Sequence, residues 1–254
     1  MSAISVSCEE ETPSPYRLLY IVGGVAALTA VLLFRRNLSA ELMVSNGFGI
    51  FDVPGEVPET AVTWFALFQE SSFVALALYR FFDVINSILV SLIFLVLFFA
   101  LKHVHPSGMI IALALSIIGV TVILVTNQAF AMLSLSQRYQ MAITESQQQM
   151  FLAAGEALLA IDNPSKIFSG FGYFMGLHCI LLAGLIISVV MLHSAEFNKA
   201  TAYSGIIANV LALSMGIVLL IAPAIVWLPP SLSAPFRMLW YVLIAIQLFR
   251  LSRS

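Results

Sequence analysis

Five ionisable residues lie in or beside the long apolar runs of this chain: Glu70, Arg80, Asp83, Glu156 and His178. A charge at bilayer depth costs ~2.5–3.5 kcal/mol on insertion scales, so each calls for a partner or a task. Arg80 and Asp83 stand three apart and can pair on one helical face. Two readings of that pair stay open. One is an interfacial ion pair where a helix enters lipid. The other is an anion or headgroup site, in which Arg80 grips the charge and Asp83 orients it. Glu156 interrupts the otherwise apolar Phe151–Ile161 and either reaches the Arg80 cluster or faces water. His178 is a lone histidine in a span, a pattern that reads first as hydrogen-bonded structure. These five are the candidate binding residues, and none is assigned a catalytic role.

Other chemistry finds little support in the spacing. The sequence holds no H-E-x-x-H, no G-x-S-x-G and no G-x-x-x-x-G-K. Asp52 and Glu56 lack the spacing of a working carboxylate pair. His103 and His105 have no carboxylate or cysteine beside them in the sequence, so they read as loop residues. No metal site and no cofactor is expected. Cys8 lies in the polar N-terminal tail and Cys179 in an apolar run, which implies no disulfide framework.

The elements that must position these residues are membrane spans. The 254 residues are 61% hydrophobic and 9% charged, against about 25% charged in soluble domains. A hydrocarbon core of ~30 Å needs roughly 20 apolar helical residues. Leu18–Phe34, Val84–Leu101, Pro106–Gln137, Ile167–Leu192 and Ala200–Phe236 carry no charge. Such runs exclude a transmembrane β-barrel, whose strands are short and alternating. A net charge of -2 offers no basic face to nucleic acid. The fold class is therefore all-α, a polytopic bundle. Six spans are expected, near 16–35, 81–103, 108–132, 167–192, 201–227 and 234–251, in one domain covering 16–254. The last is the weakest, because only Met238–Phe249 separates Arg237 from Arg250. Pro229–Pro230 is expected to turn the chain between the last two spans. Trp227 and Trp240 are expected near membrane interfaces.

Residues 1–15, rich in Ser, Pro and Glu, read as a disordered tail. Glu9, Glu10 and Glu11 precede the first apolar run, where a signal peptide would carry positive charge, so that run reads as a retained helix. The two long connections, Arg36–Thr60 and about 133–166, fall on one side of the membrane, because an even number of spans separates them. Positive residues in short loops tilt the orientation toward both termini inside the cytoplasmic membrane.

Glu59 to His105 contains no Gly or Pro. A continuous helix there would rise roughly 70 Å, so the second helix either projects from the bilayer or breaks near Arg80. Gln69, Ser72, Arg80, Asp83, Ser87 and Ser91 share one face, interrupted by Leu76. That stripe favours one long projecting helix.

Small residues mark the packing faces. The fourth span aligns Gly172, Gly176, Cys179 and Ala183; the fifth aligns Gly205, Ala208, Asn209, Ala212 and Gly216. Small residues let backbones approach closely in lipid. The two faces are expected to meet as a seam between spans four and five. His178 lies about 120° away from that seam.

The segment "ALALYRFFDVIN" (Ala75–Asn86) is followed, further on, by the Gly-rich "GFGYFMGLHCILLAGLIIS", by "FNKATAYSGIIANVLAL" and by a short last span, "LWYVLIAIQLFRL". In these landmarks and in its hydropathy, the chain resembles a prokaryotic six-span membrane family known as domain of unknown function 4386. The likeness covers most of 16–252. The family's third span often carries an Arg and a Glu; this chain has neither between Ser107 and Gln137. The resemblance implies six spans and supplies no activity.

The resulting expectation is a non-enzymatic integral membrane protein that binds a lipid or small amphiphile between helices, on the side carrying Arg80 and Glu156. Two other classes remain open. A small-solute transporter would line a path with Ser87, Ser91, Asn127, Gln128 and Asn209. A membrane-embedded enzyme would bring Glu70, Asp83, Glu156 and His178 together.

Overall fold

The computed structural model describes residues 16–45, 57–166 and 170–253, and of 34–45 the backbone alone. The N-terminal tail with Cys8, and the middle of the first long connection with Asp52 and Glu56, lie outside the described residues. The described residues form α-helices and no strand. In chain order these are α1 (Arg17–Ser45), α2 (Ala61–Glu70), α3 (Ser72–Leu78), α4 (Phe81–Leu101), α5 (Pro106–Thr126), α6 (Ala129–Met141), α7 (Glu145–Ile161), α8 (Phe171–Met191), α9 (Lys199–Ile221) and α10 (Leu228–Leu251). Five helical stretches are long and apolar enough to cross a membrane: Phe81–Leu101, Pro106–Met141, Phe171–Met191, Lys199–Ile221 and Pro223–Leu251. A shorter apolar helix, Arg17–Leu33, joins them. The protein is thus a multi-pass membrane protein by helix length and hydropathy.

Six helices close into a ring. α1 packs on α4, α4 on α5, α5 on α8, α8 on α9, α9 on α10, and α10 returns to α1. Neighbours run antiparallel. Gly23 near the start of α1 meets Val96 near the end of α4, and Gly24 meets Phe249 near the end of α10. Thr126 at the end of α5 likewise meets Gly172 at the start of α8. Contact between α4 and α8 crosses the ring, and Ile93, Phe94, Leu97, Ile187, Trp240 and Ile244 fill its interior. Trp240 is buried midway along α10, with Phe94 edge-on to it at 6.1 Å. Trp227 is exposed.

A second core lies outside the ring. α2, α3, α6 and α7 form a cap around Trp64, Phe65, Phe68, Tyr79, Met132 and Leu159. Buried Ser136 of α6 donates to the Phe65 carbonyl of α2 at 3.2 Å. Gly155 of α7 lets α2 approach; a Cβ there would stand 2.8 Å from Ala61 Cβ. The α2–α3 segment before α4 and the α6–α7 segment after α5 thus build one unit at one end of the ring.

The long projecting second helix does not form; the chain breaks twice. Ser71 adopts an extended conformation and its hydroxyl accepts from the Val74 amide, capping α3. This is the competition by which a short polar side chain diverts the backbone from a helix. Arg80 then takes φ 63°, ψ 27°, the left-handed region, and α4 starts anew. Neither break needs Gly or Pro, which is why the sequence stripe hid them. The helix of the third span is also interrupted inside the expected 108–132. At Asn127 the backbone turns extended, and its side-chain oxygen accepts from the Ala129 amide. α6 starts beyond that turn.

The last turn also differs from expectation. Pro229 and Pro230 sit in the first turn of α10, where their missing amides leave no bond broken. A 3-10 turn at Pro223–Ile225 reverses the chain instead.

Candidate functional site

The cap meets the ring at Arg80. Its left-handed backbone is the only positive φ outside glycine among the described residues. Such a conformation costs a residue with a Cβ ~1–2 kcal/mol, so the surroundings must hold it there. The side chain does. One guanidinium nitrogen, Nη2, donates to the carbonyls of Pro164 at 3.2 Å and Lys166 at 3.1 Å. Nη1 lies 3.9 Å from Asp162 Oδ1. The guanidinium plane also covers the Tyr173 ring, 4.6 Å from its centroid. Arg80 therefore ties the end of α7 and the start of α8 to the head of α4.

Asp83 joins the same cluster through Tyr173, whose hydroxyl donates to Asp83 Oδ2 at 3.2 Å. Arg80 and Asp83 thus converge on one ring from α8. Arg237 of α10 lies close enough to Tyr173 and Tyr241 to interact with both electrostatically. The cluster draws on α4, α8, α10 and the α7–α8 connection.

Asp162 is its innermost carboxylate, only 5% exposed. It caps α7, and the buried Tyr79 hydroxyl donates to its backbone carbonyl at 3.2 Å. Its Oδ1 has no hydrogen-bond partner; the Arg80 nitrogen at 3.9 Å is beyond hydrogen-bond length. Burial pushes the Asp162 carboxyl above the ordinary carboxylate range. The Arg80 charge and the Gln128 backbone N–H oppose that rise, and the Asp83 charge adds to it. Burial likewise pushes the Tyr79 hydroxyl up, with Asp162 reinforcing and Arg80 opposing.

A cavity of about 490 Å³ opens beside this cluster. Its wall combines Thr126 at the end of α5, Leu159 to Asn163 at the end of α7, Lys166, and Gly170 to Tyr173 at the start of α8. Leu159, Ala160, Ile161 and Phe171 make it largely apolar, while Asp162 and Lys166 bring charge. Ile161 and Phe171 are exposed at its rim. Lys166 Nζ pairs with Glu59 at 3.1 Å. The volume falls in the range of small-molecule sites, ~300–1,000 Å³.

The other sequence candidates lie elsewhere. Glu156 accepts from the Ala61 amide at 2.7 Å, holding the N-terminus of α2 while its residue stays exposed. This is the carboxylate that a helix N-terminus favours. Glu70 is exposed at the end of α2. His178 Nδ1 lies 2.8 Å from the Phe174 carbonyl, and its Nε2 points at Gly216, 3.0 Å from where a Cβ would sit. Glu70, Asp83, Glu156 and His178 therefore do not form one constellation. Among the described residues no group of three or more His, Cys, Asp or Glu side chains could hold a metal ion. His103 does meet a carboxylate in space, Glu196 at 3.0 Å, across the opposite end of the ring. His105 accepts from the Gly108 amide and caps α5.

The small-residue seam is also rearranged. Gly176, Gly172 and Cys179 face Gly119, Ile123 and Thr126 of α5 rather than α9. α9 meets another face of α8, with Asn209 against Gly184, Gly205 against Ser188 and Gly216 against His178. Gly205 also faces Trp240 of α10. A G-x-x-x-G signals close approach without naming the partner. Asn209, read as a bond across helices, instead donates to its own helix at the Gly205 carbonyl, 2.8 Å away.

Sequence reading missed Asp162, Tyr79, Tyr173 and Lys166. The one signal available was a carboxylate, Asp162, directly after the apolar Phe151–Ile161 and before the turn-forming Asn163–Pro164. No family model, no curated protein and no solved structure matches the chain.

Proposed function

We propose that the protein binds a lipid or a similar small amphiphile in the cavity between cap and ring. The observation that carries this reading is the cavity's composition and place. An apolar wall runs from the exposed rim residues Ile161 and Phe171 toward Asp162, a buried carboxylate with one unpartnered oxygen. The site lies where α5 ends and α8 begins, a place that suits the level at which a lipid's head and tail part company. Backbone strain at Arg80, held by four contacts around this wall, also fits a functional site. Arg80 acts here as the residue that fixes the wall. Membership in the domain of unknown function 4386 family is part of the same proposal and rests on the landmarks quoted above.

Native mass spectrometry of gently purified protein tests the reading. Wild type should retain a defined adduct, and Ala160→Trp, which adds bulk at a wall residue outside the Arg80 contacts, should lose it. An adduct held equally by both would place the ligand elsewhere; bare protein in both would remove the binding reading.

A further inference from the structure

We infer that the cavity selects an amphiphile whose head is uncharged overall and donates a hydrogen bond to Asp162 Oδ1. The inference rests on the amphiphile-binding reading above and adds the chemistry of the head.

Two observations carry it. First, Asp162 forms part of the cavity wall, is 5% exposed, and keeps Oδ1 without a hydrogen-bond partner. An ionised carboxylate only accepts, so the complement it lacks is an N–H or O–H. A buried acceptor left unmade carries a substantial desolvation cost, which a donating ligand would relieve. Second, the charges in and around the cavity already face opposite charges. Arg80 faces Asp162, and Lys166 bonds Glu59. A ligand with net charge would have to break one of these pairs or stay uncompensated in a partly dry site.

Two lipid heads share the required chemistry. A phosphoethanolamine head is zwitterionic and carries N–H donors; a diacylglycerol head is neutral and carries an O–H donor. Phosphatidylcholine is uncharged overall but has no donor. Phosphatidylglycerol has hydroxyl donors but carries a negative charge. These four therefore separate donor from charge.

The experiment is a native mass spectrometry titration of delipidated full-length protein with the four lipids, all bearing the same acyl chains. Phosphatidylethanolamine or diacylglycerol, distinguished by mass, should bind at least about tenfold more tightly than phosphatidylcholine and phosphatidylglycerol, the factor a charge-assisted hydrogen bond can supply. Asp162→Asn should bring the favoured lipid down toward the phosphatidylcholine level. Should Asp162→Asn fail to fold, the wild-type ranking still decides, with Ala160→Trp marking which binding belongs to the cavity. Equal cavity binding of phosphatidylcholine overturns the donor requirement and leaves the amphiphile reading standing. Preference for phosphatidylglycerol overturns the neutral head. Binding of all four that Ala160→Trp leaves unchanged overturns both readings.

Discussion

Gly119 and Gly176 face each other across α5 and α8 so closely that a Cβ on either would collide with the other's backbone. Added at Gly119, it would stand 2.6 Å from the Gly176 carbonyl oxygen; added at Gly176, 2.7 Å from that of Gly119. Backbone cannot swing aside as a side chain can. Gly119→Leu or Gly176→Leu should therefore destabilise by about 1–3 kcal/mol, the cost of overpacking. Thermal unfolding in a fixed detergent reads this. Gly205→Leu, crowded by Ser188 and Trp240, should do the same. Unchanged midpoints for all three would refute the close-packed ring.

The strained backbone of Arg80 can be separated from its side chain. Arg80→Ala loses the guanidinium contacts and keeps a Cβ in the left-handed region. Arg80→Gly loses the same contacts and relaxes the backbone. Arg80→Gly should be the more stable of the two by about 1 kcal/mol. Equal stabilities would mean that the turn before α4 does not hold the left-handed conformation.

Asp162 gives stability a definite pH dependence. Burial raises its carboxyl above the ordinary range, more than Arg80 and the Gln128 N–H lower it. The folded state therefore holds its proton more tightly than the unfolded chain does. That contribution is complete below the unfolded value and is lost as pH rises through the folded one. The midpoint of wild type minus that of Asp162→Asn should be largest in acid and shrink toward neutral pH. A difference that grows with pH would contradict the burial-dominated shift.

Glu156 should stabilise the start of α2. Removing its charge by Glu156→Gln is expected to cost about 0.3–1 kcal/mol, the usual strength of a carboxylate at a helix N-terminus. Hydrogen exchange should show faster exchange of the Ala61 amide in the variant and no change in the ring helices. Unaltered exchange at Ala61 would mean that the contact has no weight in solution.

The polar residues that could have lined a transport path spend their bonds locally. Ser91 pairs with Ser116 at 2.8 Å between α4 and α5, while Asn209 bonds within α9. Cysteines placed at Ser91 and Asn209 should be protected from aqueous thiol reagents on both sides. Labelling of both from both sides would revive the transporter reading.

The helical class and five of the six expected spans were legible because a long apolar run admits few other structures. The meeting of α2–α3 with α6–α7 at one end was not legible, because 61–78 read as part of the second helix. The breaks at Ser71 and Arg80 were not legible, since both depend on contacts made after folding. Arg80 was singled out, but its partners were misread: the sequence offered Asp83 by nearness and Glu156 by side of the membrane, whereas Asp162 and Tyr173 arrive from other elements. The α8 glycines announced a close approach, and α5 answered with a single glycine that carried no motif.

Closure of the ring joins the first described helix to the last. Gly24 of α1 receives Phe249 from α10, so the contact cannot form until the end of the chain has left the ribosome. Until then the small-residue face of α1 stays open to lipid or to any helix passing nearby, and a chain truncated before α10 would be left with that face exposed. The seam between α1 and α10 thus makes ring closure wait on the last helix of the ring to be made.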